Sequence, residues 1–210
     1  PQPKEAPEVT SEVNTAVATG TRLDEFLPFH RPHLGEEEIA EVVDTLRSGW
    51  LTMGPKTALF EEKFAAKVGA SHAVAVASCT AALHLALDAL ELGPGDEVVT
   101  STYTFTSTVA SILYTGATPV LVDTESSYPN MDPGAVEKAI TERTRVILPV
   151  HFAGAPCNLT RLGQLADDCG AVLLEDAAHA LPASYAGRSI GSIGHATAFS
   201  FYAGKSIKVS

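Results

Sequence analysis

The stretch HAVAVASCTAALHLALDALELGPGDEVVTS, residues 72–101, holds two short apolar runs, "HAVAVAS" and "DEVVTS", separated by the helical segment "TAALHLALDAL". Runs that are apolar on both faces and spaced by a crossover helix predict parallel strands buried between layers of helices. The same alternation continues outward. "TPVLVD", "RVILPV", "AVLLED" and "ATAFSF" read as further strands, and "TFTSTVASILYTG", "DPGAVEKAI" and "LTRLGQLADDCG" as the helices between them. Upstream, "GEEEIAEVVDTLRSG" places Ile39, Val42, Val43 and Leu46 at helical spacing, with acidic residues in the first turn and glycine at the end. "KTALFEEKFAAKVGA" sets Leu59, Phe60, Phe64 and Val68 on one side and stops at Gly69. The predicted class is α/β, a three-layer α/β/α arrangement around a mostly parallel sheet. Residues 1 to about 24 mix proline, acidic and small residues without a period and read as a flexible tail, leaving 25–210 as the folded domain.

Composition narrows the partners. Fourteen basic against twenty-five acidic side chains give a net charge of -11, with no Lys/Arg cluster, which argues against nucleic acid and anionic membrane surfaces. No stretch approaches the ~18 apolar residues needed to cross a bilayer. The three cysteines, Cys79, Cys157 and Cys169, lack the count and spacing of a disulfide scaffold, so a reducing cytoplasm is expected.

In sheets of this class ligands bind beyond the carboxyl ends of the strands, which directs attention to the residues after each run. "SCTAAL" puts Ser78, Cys79 and Thr80 where a strand turns into a helix. Free amides at a helix start can cradle an anion, and an ordinary N-cap explains the same residues. "EDAAH" ends an apolar strand with two adjacent carboxylates. One of Glu175 and Asp176 should meet a specific cationic or hydrogen-bonding partner, because a buried acid without one is costly; the other reading is a turn cap beside a solvated acid. His179 follows three residues on. Lys205 comes after "AFSFYAG", with Ser200 and Tyr202 nearby, and is either a surface lysine or a nucleophilic amine. Two pattern matches are set aside. "GRSIG" fits GxSxG but sits in a glycine-rich turn, and "HRPH" (His30, His33) lacks further metal ligands nearby.

An anion cradle, a buried acid and an amine at successive strand ends together match pyridoxal 5'-phosphate (PLP). Its phosphate suits a helix N-terminus, its ring nitrogen an anion and its aldehyde an amine, while Phe105 or Tyr103 could stack on the ring. No metal ligand set accompanies these residues.

Taken in order, "SGWLTMGPKTALFEEKFA", "SCTAALHLAL", "STYTFTSTVASI", "ATPVLVD", "PVHFAGAPCNL", "LLEDAAHA" and "AFSFYAGK" resemble the DegT/DnrJ/EryC1/StrS sugar aminotransferases of the aspartate-aminotransferase fold type, over roughly residues 28–207. The resemblance implies Lys205 as the amine that bonds the cofactor and shuttles the proton, and Asp176 as the partner of the ring nitrogen. It places His179 near the phenolic oxygen, Phe105 as the stacking ring, and Cys79, Thr80 and Ser200 around the phosphate. It further implies transfer of an amino group, with glutamate as donor, to a keto sugar carried on a nucleotide by a homodimer. Relatives carry glycine at the position of Cys79 and asparagine at that of Ser206. The fold type also has an antiparallel strand after the lysine, inserted beside the "HAVAVAS" run, and a small C-terminal domain. Neither follows in this sequence, so the expectation is a partial large domain, either of an aminotransferase or of a non-catalytic remnant that binds the cofactor weakly or only associates with a full-length subunit.

Overall fold

The computed structural model of the chain describes residues 34–202 and Lys205. The expected tail over 1–24 and the His30/His33 pair lie outside the described residues. Helix α1 (Glu36–Ser48) starts after Gly35 with Glu36, Glu37 and Glu38 in its first turn, where the positive end of the helix dipole favours them. It ends at Gly49 in the left-handed region, φ 71°. Helix α2 (Pro55–Val68) opens on proline, whose missing N–H costs nothing in the first turn, and closes at Gly69. The predicted amphipathic face of α1 forms but stays uncovered: Ile39, Val42 and Leu46 are all exposed.

From there the alternation holds: α3 (Cys79–Asp88), β1 (Glu97–Ser101), α4 (Thr106–Tyr114), β2 (Thr118–Val122), α5 (Pro133–Ala139), β3 (Thr144–Leu148), α6 (Leu159–Cys169), β4 (Val172–Ala177), then a short hairpin of β5 (Ser184–Tyr185) and β6 (Arg188–Ser189), and finally β7 (Ala196–Phe199). Five strands make one parallel sheet in the order β2-β1-β3-β4-β7.

Strand parity sorts the side chains into two layers. Val98, Val146, Leu148 and Leu174 point to the face covered by α3 and α4, where Leu83, Leu87 and Ile112 meet them. Val99, Ile147 and Leu173 point the opposite way, against Val136 of α5 and Leu162, Leu165 and Ala166 of α6. Leu83, Leu87, Ile112, Ile147 and Leu162 are fully buried. Each such side chain contributes about 1.5–3 kcal/mol through its removal from water.

One predicted strand does not form. The "HAVAVAS" run pairs with no strand among the described residues, and Val74 is 76% exposed. Strand structure requires hydrogen-bonding partners on a neighbouring backbone, and here the amide of Ala75 instead donates to the Glu61 carboxylate at 2.8 Å. The "GRSIG" match falls across the β5–β6 hairpin, whose two-residue turn has Ala186 at φ 50° and Gly187 at φ 79°. That is a mirror-image hairpin turn and not a strand-to-helix elbow.

Candidate active site

An open cleft of about 2020 Å³ runs along β7, from Gly194 and His195 at its start, to the carboxyl ends of the strands. Cys79, Thr80, Phe105, Asp176, His179 and Lys205 all line it, as does Ser200. The seven residues singled out in the sequence therefore share one cavity.

The two acids at the end of β4 are separated by parity. Glu175 turns to the α5/α6 side and is fully buried. Its Oε2 lies 2.8 Å from Nε2 of the equally buried His151. Its Oε1 accepts from the Gly194 amide at 2.8 Å and the Thr197 hydroxyl at 3.0 Å. His151 Nδ1 accepts the Cys157 amide at 3.2 Å, so its ring hydrogen sits on Nε2 and donates to Glu175. This acid is consumed by the framework. Asp176 turns to the α3/α4 side, into the cleft, and is 4% exposed. Its Oδ1 accepts the Ala178 amide at 3.1 Å and its Oδ2 the Thr108 hydroxyl at 2.8 Å.

The start of α3 combines both readings made from the sequence. Ser78 is the N-cap, its hydroxyl oxygen accepting the Ala81 amide at 3.1 Å. The first intrahelical bond runs from Ala82 to the Ser78 carbonyl, so the amides of Cys79 and Thr80 have no acceptor within the helix. They and the Thr80 hydroxyl stand at the cleft, where the helix dipole adds positive potential.

His179 lies in a turn, not a helix as its spacing from Asp176 allowed. Its Nδ1 accepts the Ala153 amide at 3.3 Å, which assigns the hydrogen of the neutral ring to Nε2. Partial desolvation, and then the Lys205 ammonium, hold its pKa below the ordinary imidazole value, with Asp176 opposing them. Burial first and the Asp176 charge second push the Cys79 thiol up to about 12, while Lys205 pulls the other way. The charges of Asp176 and Lys205 thus both reach Cys79 and His179. Phe105 precedes α4 and presents a 76% exposed ring to the cleft, whereas Tyr103 packs edge-on against Phe152 at 4.9 Å.

Lys205 is brought here by β7. Phe199 and Phe201 pack edge-to-face on Phe64 and Phe60 of α2, with centroids 5.1–5.3 Å apart, and Thr197 is bonded to Glu175. The Lys205 amide then closes a turn onto the Tyr202 carbonyl at 2.8 Å. An amine, a buried carboxylate, an imidazole N–H, an exposed aromatic ring and free helix-start amides form a donor set that fits PLP. Sequence reasoning missed Thr108, His151 and the use made of Glu175. The only available signal was that a buried acid needs donors.

The model of the DegT/DnrJ/EryC1/StrS aminotransferase family matches residues 32–210. The spore coat polysaccharide biosynthesis protein SpsC of Bacillus subtilis (strain 168) is 56% identical over 182 residues, covering 87% of this chain and 47% of SpsC. Spr1654 of Streptococcus pneumoniae, assigned as a sugar aminotransferase and solved in PMP and PLP forms, superposes with a TM-score of 0.84 at 42% identity, over 87% of this chain and 50% of its own. DesV of S. venezuelae, solved with a ketimine intermediate, gives a TM-score of 0.80 at 45% identity, over 82% and 47% of the two chains. The chain spans about half the length of the relatives it matches.

Proposed function

The chain belongs to the DegT/DnrJ/EryC1/StrS aminotransferase family, and on that premise we propose that its cleft holds PLP and serves transfer of an amino group to a keto sugar. The observation that carries this reading is that Asp176, His179, Lys205 and the start of α3 line one cavity, where the charges of Asp176 and Lys205 both act on Cys79 and His179. PLP, when bound, supplies an electron sink for the negative charge left on carbon after a proton is removed.

The chain's own residues do the rest. The amides of Cys79 and Thr80, with the hydroxyls of Thr80 and Ser200, bind the phosphate. Asp176 holds a negative charge against the ring nitrogen and keeps it protonated. Phe105 would be the stacking ring, and the Nε2–H of His179 would serve the phenolic oxygen. Lys205 would hold the aldehyde carbon through Nζ and, when released from it, would carry the proton between Cα of the amine and C4' of the cofactor in each half of the cycle. We further propose glutamate as donor, a nucleotide as the carrier of the keto sugar, a homodimer as the working unit and the cytoplasm as its place. Unpaired Cys79, Cys157 and Cys169 suit a reducing compartment, and exposed Leu113, Tyr114 and Leu121 suit burial against a second copy. Among the described residues no helix is long and apolar enough to cross a membrane.

The test is visible absorbance of the purified protein with PLP, before and after borohydride, with peptide mapping. The expected result is one reduced cofactor on Lys205 and none in Lys205→Ala. Modification spread over other lysines, or persisting in Lys205→Ala, would overturn the reading.

A further inference from the structure

Thr108 is fully buried in the first turn of α4. A hydroxyl on a helix ordinarily turns back to a carbonyl one turn earlier, and Ser111 on this same helix does so, donating to the Ser107 carbonyl at 2.7 Å. Thr108 departs from that default. Its Oγ1 lies 2.8 Å from Asp176 Oδ2 and 2.7 Å from Thr104 Oγ1. An ionised carboxylate can only accept, so the single hydrogen of Thr108 is committed to Asp176 and Thr104 must donate to Thr108. The order of the relay, Thr104 to Thr108 to Asp176, follows from chemistry alone. With the Ala178 amide on Oδ1, both carboxylate oxygens are pinned and the plane of the group is fixed, leaving further lone pairs to face the cleft. Thr104 lies on the cleft wall between Tyr103 and Phe105.

We propose that Thr108, backed by Thr104, is the positioning residue that sets the Asp176 carboxylate for the cofactor's ring nitrogen and ties it to the turn carrying Phe105. This rests on the PLP reading above. The relay acts only through the contact between Asp176 and that nitrogen, which gives it a signature that a general loss of packing lacks.

The experiment compares the protein's affinity for PLP and for 1-deaza-PLP, in which carbon replaces the ring nitrogen, in wild type, Thr108→Val, Thr108→Ser and Thr104→Val, with thermal melting of each apo form. Thr108→Val keeps the shape and removes the hydroxyl. PLP affinity is expected to fall roughly 10-fold, the scale of a lost hydrogen bond to a charged group, while 1-deaza-PLP affinity stays within about two-fold of wild type. Thr108→Ser restores PLP binding. Thr104→Val, at a half-buried residue, gives a smaller loss confined to PLP and serves where Thr108→Val does not fold. Equal losses for both cofactors, or no loss in either valine variant, would overturn the relay. If wild type forms no lysine-dependent adduct with either cofactor, the PLP reading itself falls.

Discussion

Replacing Glu175 with glutamine tests the buried framework beneath the site. The acid is fully buried and receives three donors: His151 Nε2–H on Oε2, and the Gly194 amide and Thr197 hydroxyl on Oε1. A glutamine has one oxygen and one NH₂ in place of two acceptors. The Thr197 hydroxyl can rotate to suit either, but the Gly194 amide cannot, and the His151 ring can reverse only by giving up the Cys157 amide on Nδ1. Whichever way the amide is turned, a donor faces a donor. The change loses one hydrogen bond to a charged acceptor, about 1.5–3 kcal/mol, and leaves a buried N–H unsatisfied at about 1–3 kcal/mol. A net loss of roughly 2.5–6 kcal/mol follows, and at about 2–4 °C per kcal/mol for a domain of this size the melting temperature of the apo protein falls by roughly 5–24 °C. Calorimetry or circular dichroism at neutral pH measures it. A second substitution, His151→Phe, removes the opposed N–H and is expected to be less than additive with the first by about 1–2 kcal/mol. A shift in melting temperature below about 1 °C for Glu175→Gln would refute the three-donor geometry.

Gly194→Ala probes the same contact from the other side. A Cβ there would fall 2.7 Å from Glu175 Oε1 and 2.9 Å from the Leu173 carbonyl, so a loss of about 1–3 kcal/mol is expected in denaturant unfolding; unchanged stability would contradict the close approach. The His179 ring is expected to titrate below about 6.5, followed by its imidazole resonances in an NMR pH titration. Lys205→Ala should move it upward and Asp176→Asn further down, since the two charges act with opposite sign; shifts in the same direction would separate the acid from the amine. Because the folded ring binds its proton less readily than the unfolded one, this histidine's contribution to stability declines as pH drops through about 6.5.

Much of this protein was legible in its sequence. Periodicity alone located α1 to α6 and five of the six predicted strands, because helix pattern and strand apolarity are local properties of the chain. Strand-end logic and family resemblance together picked out Asp176, His179 and Lys205, and one cleft gathers them. The "HAVAVAS" run has the composition of a buried strand but, without the neighbouring strand that the fold type places beside it, pairs with none among the described residues, because a strand exists only where another backbone accepts and donates its hydrogen bonds, and that is a non-local condition.

The sequence by itself determined that Glu175 and Asp176 point to opposite faces, since adjacent residues on a strand must. Only the tertiary structure decided which face meets α3 and α4, and so which acid belongs to the cleft and which to His151. The same holds for Thr108, whose hydroxyl crosses from α4 to β4 over a separation of 68 residues. A side chain's partner across layers depends on how helices pack on the sheet, and no spacing within either segment encodes it.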